Sequence, residues 1–292
     1  MNYVMYVFCM LIWGLNFIAV KIQGDAVSLE VALLYRSMIA LILFSILLAL
    51  IFKNLNVKTF NVWTVLGFGL CNFTLSYLLL YYGTFYSTAA MVTLIFSMKA
   101  ILTPVFISLV FKSKIPKRIY LGGLFGIMSV AVILYPDLEQ LSSHFIVGLF
   151  MAIIGTVITS IGDVLSLYNS QRQTHPVLAK MIGMLGAVIF LLLYTLFKGE
   201  TMTFPHEAHF WVGLIYLAVF ASFFAWLFYL KLIKSIGAAE SGYMVAMFSA
   251  IGGAASVIMG ESQLTMSLVL GILLACVGAF IALRKPKENV NI

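Results

Sequence analysis

Ten long runs of apolar residues follow one another along the chain, and this pattern most restricts its fold. The runs cover about 4–23, 29–52, 62–83, 88–111, 118–136, 145–168, 176–198, 209–234, 238–260 and 266–284. A helix that crosses a bilayer needs roughly 20 apolar residues. Strands are shorter, and a transmembrane barrel shows short alternating segments. The sequence therefore predicts an all-α membrane protein with ten transmembrane helices.

The composition excludes several classes of soluble protein. Of the 292 residues, 9% are charged and 63% are hydrophobic, and the mean hydropathy is +1.10. Soluble globular proteins carry roughly 25% charged residues. Soluble enzymes, nucleic-acid-binding modules and disordered tails are therefore excluded. A lipid bilayer is the expected partner, and the net charge of +7 does not indicate nucleic-acid binding.

The distribution of lysine and arginine predicts the orientation. With the N-terminus inside, the inner segments hold twelve of these residues, whereas the outer loops hold only Lys21 and Lys198. Positive residues collect on the cytoplasmic side of membrane proteins, so both termini are predicted to be cytoplasmic. The first run is long enough to be a retained helix rather than a signal peptide. The three cysteines fall inside apolar runs, so neither disulfides nor zinc binding is inferred.

The two halves of the chain resemble each other. Residues 30–43 resemble 175–188, where an offset of 144 places Arg36 against Lys180, and residues 87–97 resemble 236–249. Each half holds five spans, so the second half enters the membrane from the opposite side. This predicts two inverted five-helix repeats, 1–140 and 141–292, a plan that recurs in secondary transporters. The alternative is chance similarity between two apolar stretches.

Several segments, in order and spacing, carry a resemblance to a known family. They are WGLNFIAVK (13–21), LLYRSMIALIL (33–43), LLLYYGTFYSTAAMVTLIFS (78–97), FYLKLIKSIGAAESG (228–242) and MGESQLTMSLVLGILLACVGAFIALR (259–284). Together they are similar to the EamA family of the drug/metabolite transporter superfamily, over nearly the whole chain. The resemblance implies ten helices in two inverted repeats, with a central cavity that passes small organic solutes. Lys112-Ser113 stands where the family often has Gly-Glu, and Lys99 stands in a usually apolar stretch.

Two charged residues inside the spans are the main candidates for chemistry. Lys99 lies at the middle of its span, where its side chain is too short to reach the interface. It is expected to contact an anionic group of a substrate; the alternatives are a structural ion pair or a neutral amine. Asp163 ends a polar stripe with Thr156, Thr159 and Ser160 on one helix face. It is expected to bind a substrate amine, carry a proton or pair with Lys99, although the predicted spans offset the two axially by about 10 Å.

Other side chains form predicted cavity-facing stripes, for which helix packing is the alternative. Arg36 and Lys180 occupy mirrored positions in the two repeats, and for Lys180 packing or snorkelling is favoured. Glu261 is interpreted as a cap or gate contact, and the glycines Gly122, Gly126, Gly252 and Gly253 as close helix packing. The polar and aromatic candidates for substrate binding are Trp13, Asn16, Asn72, Ser76, Tyr77, Trp226, Tyr229 and Tyr243.

Enzyme motifs are not found in the sequence. The run from His206 to His209 is one residue short of the H-E-x-x-H zinc motif, and the chain has no phosphate-binding glycine loop. No cofactor is expected, and proton or ion coupling is left open. The sequence predicts an inner-membrane secondary transporter of a small organic metabolite, such as an amino acid or another solute bearing carboxylate or phosphate. The alternatives are a multidrug or toxic-metabolite exporter and a non-transporting structural or receptor-like membrane protein.

Overall fold

The protein is helical throughout the residues that the computed structural model describes. These are residues 2–51, 60–112, 114, 117–135, 142–236 and 243–283, among which no strand occurs. The helices are α1 Asn2–Gly14, α2 Asn16–Gln23, α3 Leu29–Ile51, α4 Val62–Tyr86, α5 Ala89–Val110, α6 Lys117–Leu134, α7 Ser143–Gln171, α8 Pro176–Phe197, α9 Ala208–Ile233, α10 Phe248–Ile258 and α11 Met266–Leu283.

Helix ends lie where the sequence supplies a cap. The Asn61 side chain accepts hydrogen bonds from the amides of Trp63 and Thr64 at the start of α4. Thr88 caps α5 and Ser142 caps α7 in the same way, and Pro176 takes the first position of α8. These residues satisfy amides that have no partner within the helix. The caps explain why these helices begin close to where the sequence predicts.

Seven of the described helices are long and apolar enough to cross a membrane, namely α3 to α9. The first predicted span is a pair of helices, α1 and α2, bent by 45° at Leu15, and it makes an eighth span if the pair counts as one. The predicted ninth and tenth spans fall on shorter apolar helices, α10 and Met266–Ala282. The protein is therefore an all-helical, multi-pass membrane protein.

Four helices change their geometry within a predicted span. Helix α4 contains a π-helical stretch, Leu70–Leu75, and α9 contains another, Tyr216–Phe224. Helix α5 breaks at Met98 into Ala89–Ser97 and Lys99–Val110, and Pro104 in the second part has no amide hydrogen to donate within the helix. A short 3₁₀ segment, Tyr243–Met247, leads into α10. Such irregular backbone is tolerated at membrane depth only inside protein or beside water.

Glycines bring several helix pairs into close contact. A β-carbon at Gly122 of α6 would lie 2.6 Å from the carbonyl oxygen of Gly278 on α11. At Gly252 of α10 it would lie 2.5 Å from Thr93 Oγ1 on α5. The prediction of close packing is confirmed at Gly122, Gly252 and Gly253, whereas a β-carbon at Gly126 would meet its nearest atom, on Ile101, at an ordinary 3.4 Å. The outer surface carries many exposed apolar side chains, among them Phe197 and Ile258, which a bilayer would cover.

Candidate functional site

Lys99 and Asp163 form a direct ion pair inside the bundle. Lys99 Nζ lies 2.9 Å from Asp163 Oδ2, which joins α5 to α7. The Thr103 hydroxyl donates a hydrogen bond of 3.1 Å to the same carboxylate oxygen, and Lys99 Nζ lies 5.4 Å from the centre of the Phe96 ring. The pairing that the sequence left open is therefore present. Lys99 follows the break at Met98, so the break sets where its side chain leaves the helix.

The pair lies where several helices meet. Helix α7, which carries Asp163, packs against both α4 and α5. The side chains of Lys99 and Asp163 remain 23% and 28% exposed. Both charges are thus reachable rather than sealed within packing. An ion pair at such a place can open to accept a solute, because its two groups can exchange partners with water or substrate.

Arg36 of α3 is almost fully buried and is held by neutral groups. Its guanidinium donates to Ser222 Oγ at 3.0 Å, to the Tyr81 hydroxyl at 3.2 Å and to Asn16 Oδ1 at 3.3 Å. Its guanidinium carbon lies 4.5 Å from the centre of the Tyr77 ring. These contacts fix the guanidinium between α2, α3, α4 and α9. They supply hydrogen bonds but no negative charge.

Lys180 of α8 is enclosed by aromatic rings. Its ammonium nitrogen lies 3.7 Å from the centre of the Phe73 ring, 4.9 Å from that of Trp226 and 5.8 Å from that of Phe44. The residue is only 4% exposed. Among the described residues, no carboxylate lies within salt-bridge distance of it. The π faces of such rings attract a cation, so the structure places Lys180 in an aromatic enclosure.

Arg36 and Lys180 have matching surroundings. They stand 144 positions apart in the sequence. Arg36 contacts Ser222 in the π-helical part of α9, and Lys180 contacts Phe73 in that of α4. One turn further along these helices, the Tyr77 ring of α4 lies against Arg36 and the Trp226 ring of α9 lies against Lys180. The corresponding partners are 149 positions apart: Phe73 corresponds to Ser222, and Tyr77 to Trp226. The surroundings of Arg36 and Lys180 therefore correspond to each other, as their alignment predicts.

Aromatic residues of α1, α9 and α10 form a wall near this site. The Trp13 indole donates to the carbonyl of Ala221 at 3.0 Å. Its ring meets that of Tyr229 edge to face at 5.3 Å and that of Phe248 at 6.3 Å. This places Trp13, Trp226 and Tyr229 on the elements that surround the interior charges. The structure leaves the side chain of Tyr243 outside the described residues.

Two of the predicted residues lie in helix contacts instead. Asn72 packs on α7, since a β-carbon at Gly162 would lie 2.2 Å from its amide nitrogen. Ser76 is fully buried, and its carbonyl faces Gly155 of α7. Asn72 Nδ2 and Ser76 Oγ have no hydrogen-bond partner within the described structure. Unlike Asn16 and Tyr77, which both contact Arg36, these two are not placed beside the interior cations.

The polar stripe of α7 faces protein. Thr156, Thr159 and Ser160 are buried, and each hydroxyl donates to the carbonyl four residues earlier. This agrees with the expectation that the stripe avoids lipid. Because the three hydroxyls are satisfied by their own helix, Asp163 is the member of the stripe that reaches across to another helix.

Glu261 ties together one end of the bundle, named here the Glu261 end. Its carboxylate accepts hydrogen bonds from the amide of Ala89 at 3.0 Å and from the Ser256 hydroxyl at 2.6 Å. It also pairs with Lys21 at 3.2 Å, and Lys21 donates to the carbonyl of Ser87 at 3.2 Å. The carboxylate thus caps α5 and links it to α2 and to the segment before α11. The cap predicted for Glu261 is therefore present.

A second polar cluster lies at the same end. Lys198 pairs with Glu30, which also accepts a hydrogen bond from the Tyr82 hydroxyl, and Lys198 lies 3.5 Å from Glu200. The hydrogen bond with Glu30 raises the pKa of Lys198 above its ordinary value. The ammonium group therefore stays charged at neutral pH. A pocket of about 170 Å³ beside Lys21 and Leu29 belongs to this end and not to the interior charges.

For Lys180 the sequence favours packing or snorkelling, and the structure adds the rings that enclose it. Its alignment with Arg36 is the sequence signal for matching surroundings. The sequence does not single out Tyr81, Ser222 and Thr103, because hydroxyl groups in apolar runs usually bond to their own helix.

These features define a multi-pass helical membrane protein with a charged interior. The EamA-like transporter family matches residues 1–135 and 146–284. The chain therefore belongs to this family, as the resemblance in its sequence indicated. Since it is a transporter family, a non-enzymatic role is consistent with it.

Among solved structures, 23 chains match this protein. One of them, titled only as the crystal structure of a protein, aligns with a TM-score of 0.68 over 96% of both chains. Its sequence identity is 16%, so it shows the fold alone. No curated protein matches the chain with significance.

Proposed function

We propose that this protein is a secondary transporter that moves a small organic metabolite across the inner membrane by alternating access. The observation that carries the proposal is that four charged or basic side chains from four helices lie inside a bundle with an apolar exterior: the Lys99–Asp163 ion pair and the buried Arg36 and Lys180. Charged residues at membrane depth are costly and generally mark solute or ion pathways. The solute is an amino acid or another molecule that carries a carboxylate or phosphate.

The architecture is proposed to be ten spans in two inverted repeats. Helices α3 and α8, α5 and α10, and α6 and α11 pack against each other, and each pair joins corresponding members of the two halves. The contact of α4 with α7 is mirrored by that of α9 with α1. The π-helical stretches of α4 and α9 also correspond. A twofold exchange of the halves accounts for all of these pairings.

The structure is proposed to represent the state that is open to the cytoplasm. At the Glu261 end, residues 17–20, 30–37 and 89–95 are all buried. In the other half of α5, only Ala100, Ile101 and Ser108 are buried. The charge bias of the loops assigns the Glu261 end to the outer face and both termini to the cytoplasm. Lys99 and Asp163 would then be reached from inside.

Export of amphipathic compounds is the second candidate function. The aromatic wall of Trp13, Tyr229 and Phe248 favours it, because ring faces bind flat apolar molecules without demanding one shape. The two candidates differ in solute class and in the need for an anionic group. Both use the same interior site.

Counterflow in proteoliposomes tests the proposed function. Purified protein is reconstituted, and each batch of vesicles is loaded with one unlabelled compound from a panel of amino acids, organic acids, phosphate esters and cationic drugs. Uptake of the same compound in labelled form is then followed. We expect trans-stimulated uptake for at least one anionic or zwitterionic solute. Stimulation by cationic drugs alone supports the exporter, and no stimulation by any compound contradicts transport.

A further inference from the structure

The interior of the bundle contains more positive than negative charge. Arg36 and Lys180 are 2% and 4% exposed, and within the described part of the chain neither has a carboxylate in salt-bridge range. Lys99, by contrast, is already paired with Asp163 at 2.9 Å. Three basic side chains and one carboxylate therefore lie in this part of the described structure. Burying unpaired charge is costly, so such a site favours an incoming anion.

The two unpaired cations share one region of the bundle. Lys180 lies over the Phe73 ring and Arg36 over the Tyr77 ring, and these rings are 6.4 Å apart on successive turns of α4. The rings shield the cations from lipid but leave their charge uncompensated.

Resting on the proposed transport function, we propose that Lys180, supported by Arg36, is the anion-binding residue of the substrate site, and that Lys99 is not. The ligand is an organic carboxylate or phosphate with an apolar or aromatic body. Its anionic group binds the ammonium of Lys180, and its body lies against Phe73, Tyr77 and Trp226. The Lys99–Asp163 pair then acts as a neighbouring switch element rather than as the anion contact. This assignment differs from the sequence, which favours Lys99.

Arg36 and Lys180 differ in the hydrogen bonds that they already make. Arg36 already donates to Ser222, Tyr81 and Asn16, so it supplies mainly positive field and a fixed wall. Lys180 has no recorded hydrogen bond among the described residues, and its three ammonium protons are available to oxygen acceptors. A charge-assisted hydrogen bond from Lys180 to a carboxylate is the contact that the site lacks.

The test compares matched ligands on the full-length protein in lipid nanodiscs. The probes are phenylacetate and phenyl phosphate, with phenylacetamide as the neutral analogue, and the readout is the rise in the thermal unfolding midpoint, from which affinity follows. We expect one or both anions to stabilise the wild type more than the amide does. The variant Lys180→Met should weaken anion binding roughly ten- to hundredfold, as expected for a lost charged hydrogen bond, and leave the amide unchanged.

Two variants keep the result interpretable. Lys180→Arg retains the charge and should retain anion binding, which separates charge loss from misfolding. Lys99→Met should still bind the anions. Equal stabilisation by anions and amide, loss of both by Lys180→Met, or loss of anion binding in Lys99→Met instead would each overturn the proposal. If counterflow does not depend on Lys180, the assignment of Lys180 is contradicted and the transport function is not. If anion binding depends on Lys180 but no flux is measured, the transport function alone is contradicted.

Discussion

Lys99 Nζ and Asp163 Oδ2 lie 2.9 Å apart and join the two halves of the chain inside the bundle. Lys99 belongs to the first family match and Asp163 to the second. The pair therefore links the two family matches, and in the proposed alternating-access mechanism it must stay or break as the halves move. Its partial exposure, 23% and 28%, allows water or a solute to reach it.

Removing either partner of this pair should destabilise the protein more than removing both. Lys99→Met leaves an unpaired carboxylate, Asp163→Leu leaves an unpaired amine, and the double variant leaves neither. Contacting charged residues show coupling energies on the order of 0.5–3 kcal/mol. The unfolding free energies of the four proteins in detergent measure the coupling. Additive effects would show that the pair contributes no interaction of its own.

Glu261→Gln should open the Glu261 end. The substitution removes the charge that pairs with Lys21 and caps α5 at Ala89. If the lost contacts shift the equilibrium between the closed and the open end by about 1–2 kcal/mol, the ratio of open to closed protein rises by a factor of about 5–30. Access to the interior is measured with Thr103→Cys, beside Asp163, in a protein whose native cysteines are replaced by alanine. The readout is the rate at which an impermeant thiol reagent labels this cysteine. Labelling from the outer side should rise by about fivefold or more.

The matched control for this prediction is Glu207→Gln. Glu207 is an exposed carboxylate before α9 with no ion pair recorded in the described structure. It should leave the labelling rate unchanged. Equal labelling in Glu261→Gln and the parent would show that this carboxylate does not hold the end closed.

Gly122→Ala should separate α6 from α11. Its β-carbon would lie 2.6 Å from the Gly278 carbonyl and 2.8 Å from Ala282 Cβ, so the backbones must move. Overpacking of this kind costs roughly 1–3 kcal/mol. At the neighbouring Gly123, an added β-carbon meets only Ile101 at 3.5 Å. Thermal unfolding midpoints should fall for Gly122→Ala and not for Gly123→Ala, and equal midpoints would argue against close packing here.

The helical elements could be predicted because membrane spans depend on local composition. Apolar runs and caps such as Asn61 and Ser142 locate the helices to within a few residues. The bend at Leu15 could not, because it depends on a distant contact: the Tyr216 hydroxyl donates to the Ile12 carbonyl beside the break at 2.9 Å. The shortness of α10 likewise follows from the 3₁₀ segment before it.

The candidate site was predictable in its charges and not in their pairing. The depth of Lys99 and Asp163 in the membrane follows from their position in apolar runs. The predicted axial offset between the two residues holds only for straight and parallel helices. The break at Met98 and the length of the lysine side chain close that gap. The role of Lys180 depends on rings from α3, α4 and α9, which no local pattern brings together.

The most direct test of the central claim is solute counterflow by Lys99→Met beside the wild type, in the same proteoliposomes and at equal amounts of inserted protein. Because the interior charge pair is proposed to belong to the transport path, we predict that the variant inserts, keeps a cooperative unfolding transition and loses flux. Wild-type flux in Lys99→Met would contradict a transport mechanism that uses this pair.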